Sequence, residues 1–536
     1  MESNWSLWEP LQDTDLVKLG EASTWASNYL KRRVTVSNIS YLIQYGRIRR
    51  FGTDGNPLVS LKELKQYYDA SDKQGLWKKQ LGHDLNWHLS FAEYKESERT
   101  KHVHRLHPYK GKFIPQLVEY FLDSHTDEFK KQVFFRPGDI VLDPFCGSGT
   151  TLVQANELGL HAIGIDISAF NVMISNVKIE KHDLTHLRRI LAQLTAELTA
   201  FQQGQQNVVF EQELLYELAR FNSVYFPTPD FRRKVKNDEI DEDTYAAEKQ
   251  QLFLPIYNRL LQKYGIEIAQ KDTGNFLNKW FLLPVRKEID FLLESVKKIQ
   301  NEKVRDIVSV ILSRTARSCR ATTHADLATL KDPVLTTYYC KKHGKICKPI
   351  FSISEWWRRY TLDTLERLEE FDRLRTNTMQ VALVGDSRTI DIWGELRDKN
   401  PNLAGLLGEK KIRGIFSSPP YVGLIDYHDQ HAYAYEMFGF ERKDDLEIGP
   451  LYKGQGFEAR TSYVRGIADV LQNCKRFLQS DFDVFLVAND KFNLYPQIAI
   501  AAGMKIVQTY KRPVLNRVEK DRSNAYSETI FHMKGC

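Results

Sequence analysis

The sequence predicts an α/β protein built on a doubly wound, mostly parallel sheet. Residues 140–142 are an apolar run that leads into a glycine turn and a helix, and a second apolar run, residues 162–165, ends at Asp166. Further short apolar runs follow much later, at residues 381–384, 412–416 and 483–488. Buried strands that alternate with helical segments are typical of parallel sheets covered by helices on both faces.

Length and composition narrow the class of protein. At 536 residues the chain exceeds one ordinary domain, and its length suggests three or four. Hydrophobic residues make up 42% and charged residues 27%, which fits a globular protein in water. No apolar run approaches the roughly 20 residues that span a bilayer, and the N-terminus lacks the pattern of a signal peptide. We therefore expect a cytoplasmic protein with no membrane partner.

Net charge and cysteine content exclude fewer classes of protein than length and composition do. The net charge of +6 comes from 75 basic and 69 acidic side chains, a modest excess that permits nucleic-acid binding without requiring it. Six cysteines in a chain of this length do not form a disulfide framework. The local arrangement of basic residues must therefore decide whether a nucleic acid binds.

Residues 1–75 are predicted to form a small domain of helix, turn, helix, basic hairpin and helix. The helices are expected at residues 21–30, 38–46 and 61–68, and Ser37 or Asn38 can cap the second. This order resembles the winged helix-turn-helix of excisionase-like modules, which implies double-stranded DNA as a partner, with the second helix in the major groove. The cations that would meet DNA are Lys31, Arg32, Arg33, Arg47, Arg49 and Arg50. The alternative is a protein-interaction domain whose basic face is merely solvated. Residues 76–104 are polar and are predicted to be a linker.

The glycine turn after the first strand has the properties of a nucleotide-type cofactor site. Gly147 and Gly149 let the backbone approach a ligand without a Cβ in the way, and the Asp166 carboxylate can accept two hydrogen bonds from a ribose diol. The third glycine of the dinucleotide-binding fingerprint is missing, because Thr150 and Thr151 follow instead. The alternative is an ordinary glycine-rich turn between a strand and a helix.

The string of residues 143–151, Asp-Pro-Phe-Cys-Gly-Ser-Gly-Thr-Thr, resembles the cofactor motif of amino-directed DNA methyltransferases. The resemblance implies a seven-stranded methyltransferase sheet and S-adenosyl-L-methionine as the cofactor. Residues 105–115 resemble the segment that packs over the methionine part of the cofactor in this family, and Asp386 resembles the residue that accepts from its adenine amino group. The cofactor-binding residues expected on this basis are Lys112, Phe113, Asp143, Pro144, Phe145, Cys146, Gly147, Ser148, Gly149, Thr150, Asp166, Asp386 and Ser417.

The strand at residues 412–416 ends in the second motif, Ser417-Ser418-Pro419-Pro420-Tyr421. An exocyclic amine is a poor nucleophile because its lone pair is delocalised into the base. A hydroxyl (Ser418) and a carbonyl (Pro419) that accept its N–H bonds would localise the lone pair and aim it. The two prolines fix φ and remove competing donors, and Tyr421 offers a ring on which a flipped-out base can stack. We therefore predict that Ser418, Pro419, Pro420 and Tyr421 are the catalytic residues.

The resemblance favours one base over another. Serine at the first position of Ser-Pro-Pro-Tyr is frequent in family members that methylate cytosine at N4, whereas aspartate is more typical of adenine N6. The cytosine C5 route uses a cysteine in a Pro-Cys context, which the sequence lacks. The hypotheses left open are a cytosine-N4 DNA methyltransferase with a separately encoded restriction endonuclease, an adenine-N6 or RNA guanosine-N2 enzyme on the same scaffold, and a DNA-binding regulator with a relict fold.

The methyltransferase domain is expected at residues 105–180 and 380–536, with a large, mainly helical insertion at residues 181–379. In this family such a block commonly holds the target-recognition domain. Arg317, Arg320 and His324 are candidates for phosphate or base contacts, and a helix end that is merely basic is the alternative. Cys340, His343 and Cys347 are weak candidates for a zinc site whose fourth ligand would be Cys319, His324 or a group distant in sequence. Two unpaired thiols on a basic hairpin are the alternative, and we expect no metal.

Overall fold

The computed structural model describes residues 15–31, 33–44, 47–53, 55–70, 77, 80–81, 85–109, 111–272, 274–324, 330–426, 428–514 and 526–536. The predicted DNA contact Arg32 lies outside these residues. The chain divides into two compact units. We call one the N-terminal unit, which comprises Met1–Lys79, Gln206–Glu267 and Ala321–Pro349. The other is the sheet unit, which comprises Gln80–Gln205, Ile268–Arg320 and Ile350–Cys536.

The described residues form short strands and longer helices, which are numbered in chain order. The strands are β1 Leu16–Lys18, β2 Phe51–Thr53, β3 Asn56–Ser60, β4 Ile140–Asp143, β5 His161–Asp166, β6 Tyr338–Cys340, β7 Lys345–Cys347, β8 Gln380–Val384, β9 Ile412–Ser417, β10 Leu478–Ala488, β11 Met504–Pro513 and β12 Ser527–Gly535. The helices are α1 Leu19–Leu30, α2 Val36–Gln44, α3 Leu61–Ala70, α4 Glu96–Arg99, α5 Pro115–Leu122, α6 Thr150–Glu157, α7 Ala169–Ile179, α8 Leu184–Gln202, α9 Asn207–Tyr225, α10 Asp230–Lys236, α11 Glu242–Tyr264, α12 Phe276–Trp280, α13 Leu283–Lys297, α14 Glu302–Ser318, α15 Ser354–Asp372, α16 Ile392–Lys399, α17 Pro401–Glu409, α18 Ala432–Phe438, α19 Phe457–Lys475 and α20 Tyr495–Ala501.

The N-terminal unit begins with the predicted order of helix, helix, hairpin and helix. The strand β1, which the sequence analysis missed, pairs antiparallel with β3, and β3 pairs with β2. Apolar residues of α1 and α2, among them Ala26, Ile39 and Leu42, form one small core with Val59 of β3. Helix α2 begins two residues earlier than predicted because Thr35 caps it: its Oγ1 accepts from the backbone N–H of Asn38 at 3.3 Å.

The sheet unit is built on a seven-stranded sheet in the order β11-β12-β10-β9-β4-β5-β8. Pairs β10–β9, β9–β4, β4–β5 and β5–β8 are parallel, and β12 runs antiparallel to its two neighbours in this sheet. The predicted doubly wound, mostly parallel sheet is therefore observed. All four residues of β4 are buried, as expected for a central strand covered on both faces.

This strand order places the site. Chain order reverses at β4, which lies between β5 on one side and the much later β9 on the other. In open α/β sheets ligands bind at such a switch point, outside the carboxyl ends of the strands. The two sequence motifs follow β4 and β9, so the fold brings them side by side although about 270 residues separate them.

Two predicted boundaries differ from the structure. Residues assigned to a linker form the 3₁₀ helices Trp87–Ser90 and His102–Arg105, and Leu89 and Val103 are fully buried within the sheet unit. The insertion at residues 181–379 is not one domain, because residues 206–267 and 321–349 belong to the N-terminal unit and the rest to the sheet unit. Helical periodicity shows which face of a helix is apolar but not which element covers it.

The helices within the described ranges do not have the character of membrane spans. Each of them is either too short or too polar to cross a bilayer.

Candidate active site

The carboxyl ends of β4, β5, β8 and β9 surround an open cavity. Seven separate stretches of sequence supply its walls. The predicted site residues that line it are Lys112, Phe113, Asp143, Pro144, Phe145, Cys146, Gly147, Ser148, Thr150, Asp166, Asp386, Ser418 and Pro420. Gly149, Ser417, Pro419 and Tyr421 lie beside this lining rather than in it. Both sequence motifs therefore open into the same space.

Asp166 holds the glycine turn in place from the end of the neighbouring strand. Its Oδ2 accepts from the backbone N–H of Gly147 at 2.9 Å, and its Oδ1 accepts from the N–H of Ser168 at 2.9 Å and from Asn171 Nδ2 at 3.1 Å. Withdrawal from water raises the pKa of Asp166, and these three donors oppose that rise. A carboxylate can accept further hydrogen bonds, so Asp166 retains capacity for a ligand hydroxyl.

Helix α7 supports the turn from below through two residues that sequence analysis missed. Ser175 Oγ donates to the Gly147 carbonyl at 2.9 Å, and Lys178 Nζ donates to the Ser148 carbonyl at 2.5 Å. The Lys178 side chain is fully buried, and desolvation puts its pKa well below the usual range. The signal that could have revealed them is a lysine and a serine among the apolar residues of the helix that follows the second strand.

The positive φ angles of the turn explain why it contains glycine. Gly149 has φ +75°, and a Cβ there would lie 2.8 Å from Ser175 Oγ and 3.2 Å from its Cα. We expect Gly149→Ala to lower the free energy of unfolding by about 2–4 kcal/mol, because both backbone strain and a steric clash oppose alanine. Urea denaturation measures the change. The matched control is Gly204→Ala, where φ is not positive and a Cβ would meet nothing within 4 Å. Equal stability of the two variants would contradict the strain argument.

Asp143 connects the two motifs directly. Ser417 Oγ donates to Asp143 Oδ1 at 2.5 Å, and the same oxygen accepts from the backbone N–H of Phe145 at 3.2 Å. Burial raises the pKa of Asp143 to about 6 in spite of these donors. Ser417, predicted to contact the cofactor, thus bonds to Asp143 and fixes the direction in which the chain continues to Ser418.

Asp386 reaches the cavity at the end of β8 as predicted, but it is already paired. Arg388 Nε and Nη2 donate to its two carboxylate oxygens at 2.7–3.0 Å. Arg388 Nη2 also donates to the Leu446 carbonyl at 3.2 Å, and Ser387 Oγ donates to the Pro144 carbonyl at 2.6 Å. Asp386 is therefore held in one orientation, and its negative charge is balanced.

Tyr421 lies at the end of the second motif, half-buried against the main core. Its hydroxyl donates to Glu528 Oε1 of β12 at 3.0 Å. This bond orients the ring at the carboxyl edge of the sheet. Its stacking on a base stays a prediction.

The opposite wall of the cavity contains an imidazole and a carboxyl side chain. His428 and Glu447 line it, and a hydrogen-bonded chain joins Ser168 Oγ, the Tyr435 hydroxyl and His428 Nδ1. Burial raises the pKa of Glu447 to about 7. The backbone N–H of His428 donates to Glu447 Oε1 at 3.0 Å. Glu447 follows no motif, so only its position in the fold reveals it.

The residues predicted to contact DNA differ in their exposure to solvent and in their hydrogen-bond partners. Arg33 and Arg47 are exposed, and Arg49 Nε lies 3.4 Å from Glu63 Oε2. Arg320 is only 6% exposed and its Nε donates to the Arg317 carbonyl at 2.9 Å, so its expected contact with DNA does not fit its burial. His324 shares a hydrogen bond with the Tyr338 hydroxyl and lies in a cluster with Cys340, His343 and Cys347. A buried guanidinium at the end of α14 fits the alternative of a helix end that is merely basic.

The cavity suits a nucleoside cofactor with a cationic amino-acid tail. Asp166 can accept from a ribose diol, Asp143 provides a buried carboxylate for a positive charge, and Phe145 and Ile448 provide apolar walls. A Cβ on Gly147 would lie 3.0 Å from the Tyr109 ring, so glycine preserves room between that ring and the turn. The residues present therefore fit S-adenosylmethionine.

Comparison with known proteins identifies the family. A family model described as DNA methylase matches residues 44–176. The type II methyltransferase M.MjaII of Methanocaldococcus jannaschii is 45% identical over 99% of this chain and 99% of its own length. This chain belongs to the type II DNA methyltransferases. Its methyl donor is S-adenosyl-L-methionine.

Other methyltransferases match shorter parts of the chain. The type II methyltransferase M.MvaI of Kocuria varians is 33% identical over 21% of this chain and 22% of its own length. A tRNA (guanine(10)-N2)-dimethyltransferase of Methanocaldococcus jannaschii is 32% identical over 20% of this chain and 30% of its own length. Partial matches of this length compare part of the scaffold only.

Proposed function

We propose that this methyltransferase transfers a methyl group to the exocyclic N4 amine of a cytosine that is turned out of double-stranded DNA, as the modification enzyme of a restriction–modification system. One observation carries the proposal: Ser418 and Pro420 line the same cavity as Asp143, Gly147 and Asp166. The amine-orienting motif and the cofactor motif thus share one site.

The residues of this site can orient the amine. Ser418 Oγ and the Pro419 carbonyl would accept its two N–H bonds and so turn its lone pair toward the cofactor. Asp143 holds Ser417, which fixes the backbone that presents Ser418. Bound S-adenosylmethionine supplies an electrophilic methyl group. Tyr421 would support the extruded base from one face.

The state of Cys146 supports direct attack by an amine rather than covalent catalysis by a thiolate. Cys146 is the cysteine in the cavity lining, it is buried, and desolvation raises its pKa well above the ordinary value. A thiol with a raised pKa is a poor nucleophile at neutral pH. Cys146 instead packs beneath the turn, where a Cβ on Gly164 would lie 2.9 Å from its sulfur.

The choice of cytosine N4 rests on serine in the Ser-Pro-Pro-Tyr motif. The test is digestion of DNA from cells that express the enzyme, followed by mass spectrometry of the nucleosides, with a Ser418→Ala strain as the control. N4-methylcytosine is expected, and N6-methyladenine alone would overturn the base assignment but leave the enzyme class intact. Single-molecule sequencing of the same DNA would give the target sequence.

Two other functions have distinct outcomes. Transfer of a labelled methyl group to RNA but not to DNA would favour a guanosine-N2 enzyme, a chemistry named in one partial relative. Tight cofactor-independent DNA binding with no methyl transfer to any substrate would favour a relict regulator. A cognate endonuclease is expected to be a separate protein that cleaves the unmodified target.

We also propose that the N-terminal unit contacts DNA through α2 and the basic residues beside it. Ser37, Tyr41 and Gln44 lie on one exposed face of α2, and Arg33 and Arg47 flank the helix and are exposed. An exposed helical face between cations is the arrangement of a recognition helix. The assignment of a winged helix-turn-helix remains part of this proposal.

Charge-removing variants test this contact. Arg33→Ala combined with Arg47→Ala should weaken DNA binding about tenfold or more at low salt and lower the slope of log affinity against log salt by about 2, since two phosphate contacts are lost. Fluorescence anisotropy with duplex DNA measures both quantities. Lys62→Ala combined with Lys65→Ala, which removes the same charge from exposed positions of α3, is the control. Equal loss in both pairs would indicate a general charge effect instead.

A further inference from the structure

A second cluster of reactive side chains lies in the N-terminal unit. His324, Cys340, His343 and Cys347 each offer one ligand atom, and these four atoms lie within 4.8 Å of one another. His343 Nδ1 is 3.4 Å from Cys347 Sγ, and the two imidazole rings have centroids 4.4 Å apart. Ligands around a tetrahedral zinc ion lie roughly 3.3–3.8 Å apart, given Zn–N and Zn–S bonds of about 2.0–2.3 Å. A contraction of about 1 Å would close the cluster around a metal.

The hairpin of β6 and β7 creates three of the four positions. Cys340 and Cys347 lie on adjacent antiparallel strands, where Tyr338 pairs with Cys347 and Cys340 with Lys345. The backbone N–H groups of His343 and Gly344 donate to the Cys340 carbonyl at 3.0 and 2.7 Å, and Gly344 has φ +64°. This tight turn returns His343 to the side of the two sulfurs. The spacing is Cys-x₂-His-x₃-Cys, which lies within the range of structural zinc sites.

The fourth position comes from the segment that follows α14. His324 Nδ1 shares a hydrogen bond of 2.7 Å with the Tyr338 hydroxyl, which leaves Nε2 to face a metal. The bond from the Val334 N–H to the Ala321 carbonyl, 2.8 Å long, brings the chain on either side of His324 together. Cys319, which the sequence left open as a fourth ligand, is not in this cluster.

We propose that His324, Cys340, His343 and Cys347 bind a zinc ion that fastens the segment after α14 to the β6–β7 hairpin. Two thiolates balance the charge of Zn²⁺, so the closed site is neutral and suits the buried position of the two cysteines. The strands have three residues each, and the apolar cluster around them consists of Tyr338, Cys340, Cys347 and Val334. Short hairpins with so small a core are marginally stable, and a metal supplies the missing constraint.

The remaining anchors of the hairpin show what the metal would add. Asn222 of α9 bonds the backbone of Ile346 through both side-chain atoms at 2.9 and 3.0 Å, and Gln250 of α11 accepts from the N–H of Tyr339 at 3.0 Å. These contacts fix one edge of the hairpin to helices of the same unit. His324 is joined to the hairpin by its hydrogen bond with the Tyr338 hydroxyl, and zinc would add further links from the same residue. The zinc ion would therefore act on the local fold of this unit and not on methyl transfer itself.

The experiment measures metal content on the full chain. Protein purified without chelator should contain one zinc ion per chain by inductively coupled plasma mass spectrometry, and Cys340→Ser and Cys347→Ser should each lose it. Cys536→Ser, which removes an exposed thiol outside the cluster, is the control and should retain the metal. His343→Ala should lose zinc. His343→Cys should keep it, because the cysteine thiolate can bind zinc in place of the imidazole.

Two further measurements keep the test independent of folding failure. Wild-type protein in which cobalt replaces zinc should show the intense visible bands of a tetrahedral site with thiolate ligands, and Cys340→Ser should lose them. Chelation should lower the unfolding midpoint of the N-terminal unit while binding of S-adenosylmethionine is unchanged. Absence of zinc together with failure to take up cobalt would overturn the proposal, as would a disulfide between Cys340 and Cys347 in the freshly purified protein.

Discussion

Ser418→Ala is expected to lower the turnover number by about 10²–10³-fold while the affinity for S-adenosylmethionine stays within a factor of two. The hydroxyl would act on the amine of the target base, and loss of one oriented hydrogen-bonding partner in an active site typically costs this much in rate. The neighbouring Ser417 keeps its bond to Asp143, so the cofactor side of the cavity remains intact.

Single-turnover methylation and cofactor titration calorimetry separate the two effects. Ser480→Ala is the matched control, because Ser480 is exposed near the amino end of β10, away from the carboxyl edge where Ser418 lies. A Ser418→Ala enzyme with normal single-turnover rates would contradict the role of Ser418. Equal losses of rate and cofactor affinity would indicate a collapsed site instead.

Asp143→Asn should have opposite effects on the stability of the cofactor-free enzyme and on the affinity for the cofactor. Without cofactor the variant should be more stable than the wild type at pH 8 by up to about 3 kcal/mol, because burial raises the carboxyl pKa to about 6, about two units above its unfolded value. With saturating cofactor this advantage should nearly vanish, since S-adenosylmethionine affinity is expected to fall roughly 100-fold, or about 2.7 kcal/mol, when the buried carboxylate is neutralised. Asparagine can still accept from Ser417, so the loss would be one of charge.

The pH dependence follows from the direction of the shift. Because the folded pKa lies above the unfolded one, the folded state binds the proton more tightly, and the wild type loses stability as pH rises from about 4 to about 6 and no more above that. The difference between variant and wild type should therefore be near zero at about pH 4 and constant above about pH 7. Urea unfolding of both proteins at several pH values measures it. A difference that does not depend on pH would contradict the buried charge of Asp143.

Local sequence was sufficient where a motif combines residue type with spacing. The turn at residues 143–151 was recognisable because its glycines favour the positive φ angles at Gly147 and Gly149, and the apolar runs of β4 and β9 revealed their strands. Such features depend on neighbours within a few residues. They revealed the strands of the scaffold and the two motifs that follow β4 and β9.

Contacts between distant segments were decided only by the tertiary structure. Lys178 beneath Ser148, Glu447 across the cavity and the burial of Arg320 depend on which helices and loops pack together, and no local periodicity records that choice. For the cluster of His324, Cys340, His343 and Cys347, the sequence named the candidates and the tertiary structure selected His324 over Cys319. The sequence by itself determined the chemistry of each motif, and packing decided which side chains share a site, because the free energy of burial is non-directional and belongs to no single segment.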